Sequence, residues 1–490
     1  MDYSLTDRTL SGARWMASSA LAGRIIGFVR AIILARLLVP DDFGVFSMAV
    51  TVVGAFEALT RLGLEQSVIA SRYSNSGALG LHLDTAWTVE IVKRIAMAVV
   101  LTLAAPSSAR FYGVDELRVV LPVFGAVLII QGLQNIGLFI LRRQLSFKKI
   151  LWHESITLTI TALASILLAV FVRRDVWALV WGELIGAAAG VFTSYALFPR
   201  WPRLALARSA LSRIFGFGKH ALVIGIAAYI TTTADNIVVG RLLGAAALGA
   251  YALAYNVISM SSIAVADVFN KVTLPAYAEL SAERPEKIAD AFAKVFAWSA
   301  AVLAVITAML WVCAEELVAV MYGEKWALAG TALKILSVLG FVRGIVLVIS
   351  SLLLGIGRPE LVARGKLFEA ALFVAIIYPL VLLLGVTGAA WTGVIVYSLA
   401  LIMRLRLLNV AVPETARTVG RSVLTSVACG FCGIVLGTFA SFSFDGVYWR
   451  LVVGAASSVT GTGFACWLLM KDLHYDTKRL FPPWLLERLP

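Results

Sequence analysis

The stretch Ile33–Ala49, ILARLLVPDDFGVFSMA, returns in blurred form as Val238–Ala254, VVGRLLGAAALGAYALA. Arg36 falls on Arg241, Leu37-Leu38 on Leu242-Leu243, Gly44 on Gly249, Phe46 on Tyr251 and Ala49 on Ala254. The offset is a constant 205 residues, with no gap. A fixed period close to half the chain marks an internal duplication. In each copy an Arg and a Gly-containing turn lie between two long apolar runs, so the chain reads as two related halves.

Of 490 residues, 60% are hydrophobic and only 14% are charged, with a mean hydropathy of +0.89. Soluble domains carry about 25% charged residues, so this chain cannot cover itself with polar surface. Apolar runs of about twenty residues recur throughout, each long enough to cross a ~30 Å hydrocarbon core. The fold class is an all-α polytopic membrane protein. A net charge of +13 would suggest nucleic acid in a soluble protein. Here the basic residues sit in loops between apolar runs, which is a topology signal, and no nucleic-acid partner is expected. Cys429-Gly-Phe-Cys432 has no accompanying Cys or His pair; with Cys313 and Cys466 it reads as core packing, and no metal site is expected. Arg24 and Arg30 interrupt the first apolar run, which argues against a cleavable signal peptide.

About fourteen spans are expected from the apolar periodicity. The first half gives 12–38, 43–70, 85–106, 118–141, 150–172 and 176–198. The second gives 214–241, 246–273, 291–314, 328–355, 361–384 and 387–408, and two more, 418–440 and 447–470, have no counterpart. The expected organisation is two pseudo-symmetric six-helix bundles, 1–198 and 214–410, joined by a basic cytoplasmic connector, 199–213, whose prolines discourage a continuous helix. Two extra helices (411–471) and a tail (472–490) follow. With the N-terminus inside, the inner segments hold roughly three times as many Lys and Arg as the outer loops, so both termini are expected in the cytoplasm. Those inner charges include Arg142-Arg143, Lys148-Lys149 and Arg404 with Arg406. An even number of spans per half relates the repeats by an axis along the membrane normal. Trp152, Trp177, Trp181, Trp326 and Trp449 read as interfacial anchors.

An ionised side chain at mid-bilayer costs about 2.5–3.5 kcal/mol on insertion scales, so each needs a partner or a wet cavity. The residues concerned are Arg24, Arg30, Glu57, Arg61, Glu90, Lys93, Arg94, Asp235, Lys334 and Arg343. Helical spacing sets Glu57 over Arg61, Glu90 over Arg94 and Asp290 over Lys294. The last two read as structural pairs near the inner interface. Arg24, Arg30, Arg61, Asp235 and Arg343 lie deeper and suit an aqueous cavity. The repeat register also sets Arg30 against Asp235, opposite charges that can pair in one state and part in another. A net cationic cavity suits a phosphate or pyrophosphate group. Gln131, Gln134 and Asn135 can hydrogen-bond sugar hydroxyls, or else one another's helices.

With these elements in place, the chain resembles the polysaccharide transporter (Wzx-like) flippases of the multidrug/oligosaccharidyl-lipid/polysaccharide superfamily. The resemblance rests on Trp15, on ARLLVPDDFGVFSMA ending at Ala49 and on FILRRQLSFKKILWHE (Phe139–Glu154). It rests also on ADNIVVGRLLGAAALGAYALAYNV (Ala234–Val257) and LLLGIGRPELVARGK (Leu352–Lys366). It implies a MATE-like pair of six-helix bundles with alternating access. It implies transfer of an undecaprenyl-pyrophosphate-linked oligosaccharide across a bacterial inner membrane, for exopolysaccharide or lipopolysaccharide biosynthesis. The two extra C-terminal helices resemble the long exopolysaccharide branch, of WzxC and succinoglycan type. Carried over to this sequence, the cavity arginines are Arg24, Arg30, Arg61 and Arg343. Asp235, Glu57 and Lys334 are the coupling or gating candidates, with Asp235 either a proton site or a standing partner of Arg30. Membrane lipids, a polysaccharide polymerase and a chain-length regulator are the further partners implied.

A MATE-like multidrug/cation antiporter is the alternative, disfavoured because a cationic drug calls for acidic and aromatic residues. A glycosyltransferase, polymerase or ligase would need a catalytic domain or a large outer loop, and the longest outer loop is Ala314–Leu328. There is no GxxxxGK[ST] run, hence no ATPase of its own, and no cofactor is expected.

Overall fold

The computed structural model describes residues 5–60, 63–70, 76–144, 146–413, 415–444 and 446–472, and among these there is no strand. In chain order the helices are α1 (Leu5–Leu37), α2 (Pro40–Leu59), α3 (Leu64–Ala70), α4 (Ser76–Tyr112), α5 (Leu117–Gly132), α6 (Gly137–Arg143), α7 (Phe147–Phe171) and α8 (Val176–Leu197). An irregular connector leads to α9 (Arg208–Ile258), which passes through a π-turn, Ser259–Ile263, into α10 (Ala264–Glu283). Then come α11 (Ile288–Tyr322), α12 (Ala327–Gly355), α13 (Pro359–Leu384), α14 (Val386–Ala411), α15 (Thr415–Phe442) and α16 (Val447–Asp472).

The duplicated stretch breaks its helix at the same register in both copies. In the first, Val39 is extended (φ −97°, ψ 163°) and Pro40 opens α2, with the Asp42 carboxylate accepting the Val39 N–H at 3.1 Å. Pro fits there because the first turn of a helix has no use for its missing N–H. In the second copy the break is Gly244 (φ 83°, ψ −175°), 205 residues on from Val39, a left-handed conformation that glycine adopts without penalty. Glycines in the same left-handed region follow α4 (Gly113), α11 (Gly323) and α13 (Gly385).

Every expected span overlaps a helix, but the count of fourteen crossings is not confirmed. Among the described residues nine helical stretches are long and apolar enough to cross a membrane, or ten if a bent pair counts as one crossing. One of the nine, Ala228–Glu283, has 56 residues, about 84 Å of helix and far more than one ~30 Å crossing needs. Two expected spans are broken. The span at 118–141 bends by 61° between α5 and α6, and the span at 43–70 ends at Leu59 before the short α3. Both interruptions carry polar residues, Gln134 and Asn135 in one and Thr60 in the other.

By contacts the chain divides into two units, Met1–Leu253 with Ile377–Val386, and Ala254–Ile376 with Thr387–Pro490. In the first, Leu34 of α1 and Leu38 just beyond its end pack with Ala169 of α7 and with Ala178 and Leu179 of α8. Asp175 caps α8 through the Trp177 N–H at 3.0 Å. In the second, α12 is the inner helix, buried along most of its length against α10 and α11. α15 turns Leu424, Phe431, Phe439 and Phe442 outward, and α16 Val452 and Phe464, as a lipid solvent permits. Trp152, Trp181 and Trp449 are exposed as anchors should be, but Trp326 is fully buried, packed edge-on to Tyr322 at the turn into α12. The expectation for Trp326 is corrected: it closes a helix junction.

Candidate functional site

In the first unit Arg30 of α1 donates to Glu183 of α8 at 2.8 Å, and both are largely buried. Its other terminal nitrogen, Nη2, is buried without a hydrogen-bond partner among the described residues. Arg24 is half-buried on the same helix. Arg61 lies outside the described residues.

Glu57 reaches Arg94 of α4 at 2.7 Å. Arg94 also binds Glu90 at 2.8 Å, the helical pair expected from its spacing, and its Nη1 donates to Gln131 at 3.4 Å. Lys93 shares Glu90 at 2.5 Å. One guanidinium therefore ties α2, α4 and α5 together, in a network of two cations and two carboxylates. Asp290–Lys294 forms as expected, at 2.8 Å on an exposed face.

The amide cluster divides. Gln131 joins the Arg94 network. Gln134 packs over Gly190 of α8, where a Cβ would stand 2.7 Å from its amide nitrogen. Asn135 is buried in a backbone knot: its Nδ2 donates to the carbonyls of Phe198 (2.6 Å) and Arg200 (2.8 Å), while its Oδ1 accepts the Gly137 N–H (2.9 Å). Its own N–H donates to Ser194 Oγ at 3.0 Å. Both amide protons are thus committed to the connector, which is the interhelical alternative for this residue.

Asp235 is buried (7% exposed), accepts the Tyr251 hydroxyl at 2.8 Å and takes the Asn236 N–H at 2.9 Å. Arg30 and Asp235 do not form an ion pair here; the carboxylate partner of Arg30 is Glu183. That partner escaped the sequence reading because the pairing depends on how α1 and α8 pack, which the repeat register does not encode.

In the second unit Arg343 of α12 contacts the Tyr255 hydroxyl and lies over the Tyr397 ring, 5.5 Å from its centroid. Lys334 pairs loosely with Glu315 at 3.7 Å, beside an open cavity of about 300 Å³ lined by Glu315, Glu324 and Thr331. The expectation for Arg404 is overturned: it is fully buried rather than in a loop. It binds Glu369 of α13 at 2.8 Å and Ser350 of α12 at 2.6 Å, and it lies over Gly365, where a Cβ would meet it at 2.9 Å. Glu369 also holds Lys366 at 2.7 Å, and Lys366 stands 5.8 Å from the Tyr397 ring centroid. The one sequence signal for this centre was Gly365-Lys366 at the end of the Leu352–Lys366 stretch.

Long apolar helices with charged side chains held inside each unit define an all-α polytopic membrane protein. The chain belongs to the family described as "Polysaccharide biosynthesis protein", which matches residues 33–330 and so includes both copies of the duplicated stretch. It is similar to the lipopolysaccharide biosynthesis protein WzxC of Escherichia coli (strain K12), with 24% identity over 379 residues, 76% of this chain and 75% of WzxC. Among solved structures it matches the lipid II flippase MurJ in an inward closed conformation, with a TM-score of 0.75, 12% identity, and 94% of this chain and 99% of that one covered. It also matches an inward-facing multidrug resistance MATE family transporter of the MOP superfamily, with a TM-score of 0.64, 16% identity, and coverage of 80% and 96%. The expected MATE-like helical fold is borne out.

Proposed function

We propose that this protein is a flippase that moves a lipid-linked oligosaccharide, carried on undecaprenyl pyrophosphate, across the bacterial inner membrane for polysaccharide biosynthesis. The observation that carries this reading is the family match across both repeat copies. The two repeat halves, 1–198 and 214–410, alternate access around the connector 199–213, with the helices of 411–471 and the tail 472–490 appended. The loop-charge asymmetry supports cytoplasmic termini.

Arg24, Arg30, Arg61 and Arg343 hold the diphosphate, since a guanidinium presents a rigid fork of donors to phosphate oxygens. The buried, unpartnered Nη2 of Arg30 supports its part in this. Gln131 and Gln134 meet sugar hydroxyls, and Asn135 supports them through the backbone. Asp235, Glu57 and Lys334 couple or gate the movement, driven by an ion gradient; one elementary charge crossing 100 mV supplies about 2.3 kcal/mol. No covalent step is needed, so the reading is transport rather than enzymology. A polymerase and a chain-length regulator are its expected partners downstream.

The test is a deletion strain assayed for lipid-linked repeat units on each face of the inner membrane. The expected result is accumulation on the cytoplasmic leaflet, reversed by the wild-type chain. A change in drug sensitivity with normal glycan would overturn the reading in favour of a multidrug antiporter.

A further inference from the structure

Between the end of α8 and the start of α9, residues 198–207 form no helix, yet their backbone is engaged. Pro199 and Pro202 have no N–H to satisfy. The N–H groups of Arg203, Ala205 and Ala207 donate to Asp84 Oδ1 (3.3 Å), Thr88 Oγ1 (3.0 Å) and Thr85 Oγ1 (3.2 Å), all near one turn of α4. The Arg200 N–H donates to the Phe198 carbonyl at 2.8 Å, and its side chain reaches Asp84 and the Gly80 carbonyl. A loop in bulk water has no such need, because water satisfies its backbone; a non-helical segment against a bilayer does.

The exposed side chains of the same segment are apolar and basic. Trp201 is 79% exposed, Leu204 76% and Leu206 67%, while Ala205 and Ala207 are half-buried. Arg203 and Arg208, both exposed, stand among them, and neither guanidinium has an ion-pair partner among the described residues. The apolar patch continues a lipid-facing surface. Trp201 stacks on Tyr195 of α8 with ring centroids 4.7 Å apart, and Phe192, one turn back on that span, is exposed. The 22 residues of α8 make about 33 Å of helix, with Trp177 and Trp181 near its start and Trp201 just past its end. That is the spacing of two aromatic belts around a ~30 Å core.

We infer that residues 199–207 are a strap seated in the membrane–water interface, with anionic phospholipid as its partner. Trp201, Leu204 and Leu206 enter the headgroup region, and Arg203 and Arg208 bind the phosphate-bearing headgroups. Lipid is the occupant because the patch is continuous with the exposed face of a membrane span and carries the complementary charge. Through Asp84 and Asn135 the strap fastens α4 and the α5–α6 bend to the bilayer surface. The inference rests on the membrane class of the chain, not on the flippase reading.

The experiment uses the full-length chain with Cys432→Ser, since the other cysteines are buried. A spin label is placed at Leu204→Cys or Leu206→Cys, and the protein is reconstituted in phosphatidylcholine vesicles with or without phosphatidylglycerol. Collisions with oxygen, which enriches in lipid, are compared with those of a neutral, water-soluble nickel chelate. Glu286→Cys, an exposed site in the turn before α11, is the aqueous reference. With phosphatidylglycerol the oxygen-to-nickel ratio at both strap positions should exceed the reference at least three-fold. Arg203→Gln with Arg208→Gln should lower that ratio at least two-fold in those vesicles and leave it unchanged in pure phosphatidylcholine. Should Leu204→Cys fail to fold, Leu206→Cys decides alone. A ratio no higher than the reference overturns the seat in lipid. A high ratio indifferent to phosphatidylglycerol and to the double variant overturns the headgroup assignment. A label closed to both reagents in native membrane fragments, but open to nickel in the vesicles, overturns lipid in favour of a protein partner. The leaflet assay is independent of all these results, so the two readings fail separately.

Discussion

Gly44 and Gly249, equivalent positions of the duplicated sequence, meet each other in the fold. A Cβ added to Gly249 would stand 2.9 Å from the Gly44 nitrogen and overlap the Pro40 carbonyl oxygen; one added to Gly44 would overlap the carbonyl of Ala245. Backbone therefore lies on backbone where α2 crosses the second part of α9, the close approach that small residues allow in membrane helices.

Gly44→Ala and Gly249→Ala are accordingly expected to destabilise the protein by about 1–3 kcal/mol each, the usual cost of forcing a methyl into a packed contact. Gly420→Ala and Gly463→Ala meet nothing within 4 Å, so the same change there should be neutral or stabilising by up to ~1 kcal/mol. Thermal unfolding in detergent micelles reads the difference in sign. Equal melting temperatures across all four variants would remove the crossing from the account.

The Arg404–Glu369 pair yields a prediction about its partners. Both side chains are fully buried, so Glu369→Gln leaves Arg404 without its carboxylate and should cost about 3–5 kcal/mol, whereas Arg404→Met leaves Glu369 its Lys366 partner and should cost less. Glu369→Gln also strips Lys366 of its carboxylate, so it should be the more damaging of the two. The double variant Glu369→Leu, Arg404→Met should recover much of the loss, because two apolar groups replace a pair that water no longer solvates. Unfolding midpoints of the single and double variants supply the cycle. Additive losses would mean that the pair does not act as a unit.

How much of this was legible beforehand depends on the range of the signal. Helix positions were, because apolar runs are local, but the turn was read around Gly44 and Gly249, and the break falls five residues earlier in both copies, at Val39 and Gly244. The Glu90–Arg94 and Asp290–Lys294 pairs were too, because four residues make one helical turn. Partners on other helices were not. Glu183 is 153 residues from Arg30, and nothing in Val176–Leu197 marks it. Arg404 misled for a second reason: basic residues near a span end ordinarily snorkel outward, and only the packing of Gly365, Glu369 and Ser350 shows that this one turns inward.

Asn135 offers a test of the connector. Its side chain fastens the α5–α6 bend to the carbonyls of Phe198 and Arg200, and Arg200 in turn binds Asp84 at 3.0 Å. Asn135→Leu would leave those carbonyls unsatisfied at about 1–3 kcal/mol per buried group. Limited proteolysis of membrane vesicles with the connector accessible should then cut within residues 199–207 faster than in wild type. Asn135→Asp should behave similarly, since a carboxylate cannot donate to either carbonyl. Unchanged cleavage in both would show that the connector is held by Arg200 and its neighbours instead.

Arg30 gives the prediction that separates structure from transport. Its carboxylate partner is Glu183, at 2.8 Å, while Asp235 is engaged by Tyr251, at 2.8 Å. If the Glu183 contact is what holds Arg30 toward the substrate, Glu183→Gln should lower flipping several-fold and leave the protein folded, whereas Arg30→Gln should abolish it. Reversing the pair, Arg30→Glu with Glu183→Arg, should leave the protein folded but not flipping, because the guanidinium then leaves the position proposed to receive phosphate. The second swap, Arg30→Asp with Asp235→Arg, tests the repeat-register pairing. Rescue of flipping by that swap, where each single change abolishes it, would show that Arg30 exchanges Glu183 for Asp235 during the cycle. Failure of rescue, with both proteins folded, would confine Arg30 to its α8 partner throughout. Leaflet-resolved assay of lipid-linked repeat units, alongside gel filtration of each variant, reads both.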